Sequence, residues 1–430
     1  KFVNVHIILR KKLKEHYWEF LNNGDIGMRI GVITYYKAMN FGATLQAVST
    51  YCYLKEHGHE PIFINYIRKE AQAAIANGKD DPQWKAQLDF VNGIIKDQTD
   101  VCETAEDVLN VVNEHHIDGI IVGSDALLQH HPLLSRLHKG RRKPFFVSHV
   151  SSDRMFPNVF WGCGVADKVP MALMSVSSQN SAYQYFMPWT KKAMCKSLSN
   201  MKYISVRDEW TKDMLKAVLH KEVPVTPDPV FSFNQNAGMY VPCREEILER
   251  FGLPEKYVLL SLFSQVLSKK QITDLETVFA KDDIALVILP MPTGMAYDYS
   301  VKYEIKFPLS PIDWYALIKY SQGYIGSNMH PIVVSLHNAV PCFSLDNWGR
   351  VNFKGEKVDD GSSKIQHIME VFGVSRNHRM INRGSCDVTM QEIYEGIPTF
   401  PRDLVRRKTA CYLQEYNEMM ELMIKQLKNK

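Results

Sequence analysis

From about residue 28 to 350 the chain alternates between two patterns. Short continuous apolar runs, typical of strands buried on both faces, are followed by stretches in which apolar residues recur every three or four positions, the mark of a helix with one face inward. Residues 29–34 read as a buried strand and 35–41 as a loop. A helix opens at Gly42 with Phe41, Leu45, Val48 and Cys52 on its apolar side, Gly58 ends it, and 61–66 is the next strand. A helix over 105–114 leads to a strand over 117–122. Strands follow at 171–177 and 201–206, the latter running into a helix from Trp210 to about Leu219. The alternation restarts after 240, with strands predicted at 257–263, 284–289, 324–325 and 340–345 and helices at 271–280, 312–321 and 331–338.

The interruptions suggest the domain plan. Residues 1–27, with a mixed helix over 12–21, read as an appendage. Residues 68–103 are polar and poorly periodic, an excursion over the surface. Residues 140–165 carry many rings with Pro and Gly, as in a loop packed over or under a cleft. Residues 232–244 have linker composition. A long amphipathic helix over 402–426 presents Leu404, Ala410, Leu413, Met420, Leu422, Met423 and Leu427. The predicted division is 1–27 appendage, 28–240 first α/β domain, 241–400 second α/β domain, and 401–430 a helix packing back on the first domain. Two facing doubly wound domains with a cleft between them are the simplest architecture.

Composition narrows the function. The 430 residues exceed one ordinary core. Hydrophobic residues at 45% and charged residues at 23% are those of a globular protein, and a net charge of +4 marks neither a nucleic-acid binder nor a polybasic membrane protein. No apolar run approaches the roughly 20 residues that span a bilayer. The basic run Arg10-Lys11-Lys12-Leu13-Lys14 follows a short apolar piece, the wrong order for a secretory signal. Eight scattered cysteines without paired spacing fit a reducing cytoplasm. His115, His116, His130, His131 and His138 lack metal-ligand spacing and read as surface residues. No metal and no cofactor is expected.

Candidate chemistry collects at strand ends. In 323–331 a strand closes in a tight loop that opens a helix: Gly326 permits the turn, Ser327 or Asn328 caps, and Pro331 suits the first turn. His330 at this helix mouth is a proton donor, a phosphate contact or only a loop cap. Asn40 and Gly42 offer N–H groups to an anion or sugar hydroxyl, or merely begin a helix. The loop has one glycine where a dinucleotide fold has Gly-x-Gly-x-x-Gly. After the 117–122 strand, Ser124 and Asp125 follow; Asp125 is a candidate base or hydroxyl ligand, and equally a cap. Arg207 ends a strand where it can offer a fork to a carboxylate or phosphate, or pair with Asp208 or Glu209. Arg350 is a further cleft candidate.

These residues also carry a resemblance. The run 30–34, then Asn40-Phe41-Gly42-Ala43-Thr44-Leu45-Gln46-Ala47, Val122-Gly123-Ser124-Asp125, Ile204-Ser205-Val206-Arg207-Asp208, Asp228-Pro229 and Ser327-Asn328-Met329-His330 resemble, in order, the polysaccharide pyruvyl transferase family. The resemblance implies two Rossmann-like domains of GT-B type. It implies transfer of a pyruvyl group from phosphoenolpyruvate to a sugar or lipid-linked oligosaccharide in cytoplasmic exopolysaccharide biosynthesis. Such work leaves room for peripheral membrane association without a transmembrane segment. It puts Arg207 on the donor carboxylate and a histidine, here His330, in the acid role. Members often carry an arginine two positions before that histidine, where this chain has Asn328. They often have an aromatic after Gly-Ser-Asp, where this chain has Ala126. A nucleotide-sugar glycosyltransferase of related fold and a non-catalytic saccharide-binding member are the alternative readings. Acceptor identity and oligomeric state stay open.

Overall fold

Every inter-strand pairing in both large sheets is parallel, as expected where strands are apolar on both faces. In the computed structural model, which describes residues 27–67, 72, 80–138, 146–262, 266–291, 299–350, 357–382 and 386–429, the first sheet contains β1 (Arg29–Ile33), β2 (Glu60–Tyr66), β3 (Gln98–Cys102), β4 (Gly119–Gly123), β5 (Met171–Val176) and β6 (Tyr203–Val206). The second contains β7 (Tyr257–Ser261), β8 (Ala285–Ile288), β9 (Tyr303–Glu304), β10 (Gly323–Gly326), β11 (Cys342–Asp346) and β12 (His378–Met380). Their orders are β3-β2-β1-β4-β5-β6 and β9-β8-β7-β10-β11-β12. Counted from its own first strand, each is the doubly wound order 3-2-1-4-5-6. Each therefore opens a crevice at the carboxyl ends of its two central strands. The appendage expected over 1–27 lies, apart from Gly27, outside the described residues.

The halves are joined by α1 (Phe41–Glu56), buried from Phe41 to Leu54. A helix buried all round needs partners for its polar face as well as its apolar one. Ser49 Oγ donates to the Pro229 carbonyl at 2.7 Å, and Asn236 Nδ2 donates to Ser49 Oγ at 3.0 Å. On its other side Phe41 meets Trp314 of α8 (Pro311–Tyr320) with ring centroids 5.4 Å apart. Nearby, the Gln83 amide spans the halves, donating to the Leu309 carbonyl at 2.8 Å and accepting from Leu309 N–H at 2.6 Å.

Three expectations change. Residues 68–103 are not simply a surface excursion: they contain α2 (Pro82–Ile94) and the edge strand β3, whose sequence QTDVC is too polar to announce itself. Residues 232–236, read as the start of a linker, continue short helical turns that begin at Pro229 and are largely buried against α1. Within the aromatic stretch Phe160 and Trp161 are buried against β2 and Tyr35, while Phe146 is exposed. His130 is buried, not superficial: Phe156 N–H donates to its Nδ1 at 3.3 Å. Burial pushes its pKa down to about 4.

The long C-terminal helix, α12 (Arg402–Lys428), turns inward the face Val405, Tyr416, Met419, Met420, Met423, Ile424 and Leu427, while Leu422 stays exposed. It crosses back to the first sheet: Tyr416 meets Tyr53 edge-on at 5.5 Å, and a Cβ on Gly119 of β4 would come within 3.3 Å of Leu427. Among the described residues no helix is long and apolar enough to cross a membrane.

Candidate active site between two strand-end crevices

The site begins with two helix mouths that face each other. Asn40 Oδ1 accepts from the N–H groups of Gly42 and Ala43 at 3.0 and 3.4 Å and so starts α1. Opposite, β10 ends at Gly326 and α9 (Met329–His337) begins with Asn328 as its N-cap residue. The His330 ring lies against Gly42: a Cβ there would be 1.9 Å from its Cγ. Gly42 is thus required by close approach of an imidazole from the other half, not by a turn. Gly326 is required by space too, because a Cβ would sit 2.5 Å from the Ser261 carbonyl oxygen.

Around this contact lies a charged cluster drawn from both halves. Arg207 follows β6, and its Nη1 donates to Asp228 Oδ2 at 2.8 Å with side chains only 3% and 1% exposed. Gln46 of α1 donates to the same oxygen. Asp228 Oδ1 accepts from Val230 N–H at 2.9 Å, which fixes the carboxylate at the head of its own turn. The predicted partners of Arg207, Asp208 and Glu209, are used elsewhere. Asp208 caps α5 (Glu209–Leu219), accepting from Thr211 N–H at 2.7 Å, and Glu209 pairs with Lys212. Burial opposes the Arg207 charge, but Asp228 and Asp125 hold its pKa above the ordinary arginine value. The Nε and Nη2 atoms have no partner among the described residues. One edge of the guanidinium is therefore fixed, and the other, Nε with Nη2, is the pair of donors that matches a bidentate anion and is left unpartnered.

His330 is coupled to the same charges. Burial pushes its pKa down to about 4; Asp228 and Asp125 pull it up, and Arg207 and Lys364 push it down. It is neutral near pH 7, and its Nε2 is inaccessible and unpartnered. Asp125 lies in this field. Its Oδ1 accepts from Ala126 N–H at 2.6 Å, so part of the carboxylate is spent on its own turn. Beyond it, Tyr35 donates to Asp153 at 2.7 Å.

The structure brings His330, Gly42, Arg207 and Asp125 together. Asn40 is there as a cap. Ser327 Oγ is buried and unpartnered beside the α9 mouth. Asn328 leaves the cap unmade and directs Nδ2 to Met291 Sδ at 2.6 Å. Ser124 is diverted: its Oγ donates to the Ser175 carbonyl at 2.7 Å, tying β4 to β5. Arg350 pairs with Asp360 at 2.8 Å and lies 5.5 Å from the centre of the Trp210 ring, so it reaches from the second half onto the first. Two residues were not anticipated as site residues. Asp228 was visible only as part of an Asp-Pro pair. Lys364 begins α10 (Lys364–Val371) behind an ordinary serine cap, Ser363. Among the described residues no group of three or more His, Cys, Asp or Glu is placed to hold a metal.

Comparison with known proteins agrees with this layout. A family model described as polysaccharide pyruvyl transferase matches residues 40–349. A search of curated proteins returned no match. Among solved structures, the UDP-GlcNAc 2-epimerase of Neisseria meningitidis bound to UDP-GlcNAc superposes with a TM-score of 0.53 at 11% identity, covering 92% of this chain and 99% of that one. A putative UDP-N-acetylglucosamine 2-epimerase from Listeria monocytogenes gives 0.51 at 9% identity, covering 94% and 98%. At such identities the likeness concerns fold alone, and that fold is two Rossmann-like domains in the GT-B arrangement.

Proposed function

The chain belongs to the polysaccharide pyruvyl transferase family, and from that premise we propose that it transfers a pyruvyl group from phosphoenolpyruvate to two hydroxyls of a sugar, releasing phosphate. The observation that carries this reading is the Arg207 guanidinium, buried, clamped by Asp228 on one edge and unpartnered on the other, in the same charged cluster as an unpartnered His330 Nε2. A small dianion with a planar carboxylate fits that free edge.

The chemistry follows from the groups present. Arg207 Nε and Nη2 take the donor carboxylate. The Ser327 hydroxyl and the N–H groups at the start of α9 meet the phosphate. The negative charge of the bound donor raises the His330 pKa and loads its ring with a proton. His330 gives that proton to the methylene carbon, and the neighbouring carbon becomes an oxocarbenium centre stabilised by its phosphate oxygen. A sugar hydroxyl attacks this carbon and loses its proton to Asp125. The carbon–oxygen bond to phosphate then breaks, with the bonding pair leaving on phosphate. Phosphate takes the proton held by Asp125, and the second hydroxyl adds to the same carbon, giving its proton back to His330 and closing the ketal. The acceptor is a cell-surface polysaccharide precursor, free or lipid-linked, and the reaction belongs in the cytoplasm where phosphoenolpyruvate is made.

The test is to incubate the protein with phosphoenolpyruvate and sugar or lipid-linked acceptors, following phosphate release and a new ketal methyl signal by NMR. Both are expected, and both should vanish in Arg207→Ala. Turnover of a nucleotide sugar in the parallel reaction, with none of phosphoenolpyruvate, would instead make the protein a glycosyltransferase. Saccharide binding without either reaction would make it a non-catalytic member.

A further inference from the structure

Lys364 is a cation without a counter-ion. Among the described residues it makes no ion pair or hydrogen bond, yet it lies in the field of Arg207, Asp125, Asp208 and Asp228 from the first domain and of His330 from its own. A lysine at a helix start is also on the wrong end of the dipole, which favours anions there.

The position is built, not incidental. The Asp346 carboxylate, fully buried at the end of β11, holds three groups. Its Oδ2 accepts from Ser363 Oγ at 2.5 Å and bonds His378 Nε2 at 2.9 Å, and its Oδ1 accepts from Trp348 N–H at 2.7 Å. Ser363 caps α10, so this bond fixes the backbone from which Lys364 projects. Trp348 supplies the surface beneath it: the Lys364 ammonium lies 4.6 Å from the centre of the indole ring. The same indole donates to the Ser327 carbonyl at 3.2 Å, which ties Lys364 to the loop that presents Ser327 and His330. One carboxylate thus positions a cation, its aromatic platform and, through that platform, the mouth of α9.

We propose that Lys364 is the phosphate-binding cation of this site, receiving the donor's phosphate opposite the Arg207 edge that takes its carboxylate. The pyruvyl-transfer reading enters only in identifying the phosphate's carrier. The ammonium faces one positive group, Arg207, the His330 ring, which is neutral until a bound anion raises its pKa, and the three carboxylates of Asp125, Asp208 and Asp228. Burial, with Arg207, lowers its pKa to about 8 against the pull of those carboxylates. A phosphate dianion arriving between the cations relieves their repulsion, and the pair charges together. Asn328, on the same loop as His330, contributes no charge, so Lys364 is what neutralises the phosphate on the second domain's side.

The test measures binding of inorganic phosphate, phosphoenolpyruvate and pyruvate to wild type, Lys364→Met and Lys364→Arg, with melting temperatures as a fold check. Lys364→Gln serves if the methionine variant does not fold. Lys364→Met is expected to weaken phosphate and phosphoenolpyruvate about 10- to 100-fold, the size of one charge-assisted hydrogen bond, and to leave pyruvate unchanged. Lys364→Arg should restore most of the loss. In wild type, phosphate affinity should fall as pH rises through about 8, and in Lys364→Arg it should not. Unchanged phosphate affinity in Lys364→Met, an equal loss for pyruvate, or no phosphate binding by wild type overturns the assignment. Phosphate binding through Lys364 in a protein that makes no ketal would sink the pyruvyl-transfer reading and leave this site standing. Ketal formation indifferent to Lys364 would do the reverse.

Discussion

The two halves of the site share a strand order but hold their charged groups differently. On the first domain's side, Arg207, Asp228, Gln46 and Val230 close on one another, and Asp208 and Ser124 are used up in capping α5 and bracing β5. On the second domain's side, Ser327 Oγ and His330 Nε2 have no partner and Lys364 no counter-ion among the described residues. Buried polar groups left unpaired are costly, so they mark a place where something else completes the bonding. The first half holds its arginine in a buried ion pair and still leaves the Arg207 Nε–Nη2 edge and Gln46 Oε1 without a partner, while the second half leaves Ser327 Oγ and His330 Nε2 unpartnered with, among the described residues, no ion pair beside them. On the reading proposed above, the first crevice serves mainly as scaffold and the second as working face.

Breaking the scaffold should produce the largest effect. Asp228→Ala leaves the Arg207 guanidinium buried and unpaired and should cost about 3–5 kcal/mol of stability. That is a large part of the roughly 5–15 kcal/mol that holds a domain folded. Urea unfolding reads it directly. Asp228→Asn, which keeps an acceptor for both Arg207 and Gln46, should lose less. If Asp228→Ala unfolds at the wild-type midpoint, the first half is not the scaffold described here.

His330→Ala is the matching change on the working face. It should lower turnover roughly 10²–10⁴-fold with little change in melting temperature. A proton count sharpens the point. The free ring is neutral at pH 7 because its pKa is pushed down to about 4, and a bound anion raises it. Phosphoenolpyruvate binding at pH 7 should therefore take up protons in wild type and fewer in His330→Gln. Calorimetry in buffers of different ionisation enthalpy measures the difference, and equal uptake in both proteins would remove His330 from the proton path.

The same contrast explains what could be read from the sequence. The α9 mouth and the Asn40–Gly42 turn were legible because each is a local pattern: a strand, a glycine, a polar cap and a helical apolar face. Central strands were legible for the same reason, since GIIVG in β4 is apolar throughout. The edge strands β3, β9 and β12 were not, because QTDVC, YE and HRM are short and polar enough to pass for loop. Asp228 and Lys364 were hidden for a different reason. Asp228 owes its role to an arginine 21 positions earlier, and Lys364 to a carboxylate 17 positions before its cap. No residue-type pattern records such meetings. The polar face of α1 was hidden likewise: Gln46 and Ser49 look solvent-facing until residues 228–236 are laid against them.

Gly42→Ala probes the seam between the halves. Alanine is the better helix former by about 0.8–1.0 kcal/mol, yet its Cβ would occupy the place of the His330 ring. The ring is the softer of the two and should move, so stability should change by no more than about 1–3 kcal/mol. Displacing a reacting group by about an ångström is enough to lose roughly 10²-fold in turnover. Turnover measured beside a melting curve separates this from unfolding. Wild-type activity in Gly42→Ala would mean that the ring does not work from the position it occupies against α1.

The smallest effect belongs to Arg350, which joins the halves. It pairs with Asp360 and lies over Trp210 of α5, with side chains 27% and 20% exposed in the ion pair. A half-exposed pair and a cation over an indole are each worth about 0.5–1 kcal/mol. Because Trp210 is in the first domain and Arg350 in the second, that energy holds the domains at their present separation. Arg350→Ala should therefore leave the affinity for inorganic phosphate close to wild type, since Lys364, Trp348 and Asp346 all sit within the second half. It should weaken phosphoenolpyruvate a few-fold at most, because a donor held as proposed between Lys364 and Arg207 needs both halves at the right distance. Arg350→Lys, which keeps the charge and loses the guanidinium over the Trp210 ring, should behave like the alanine variant. Loss of inorganic phosphate binding in either would show that Arg350 belongs to the working face after all.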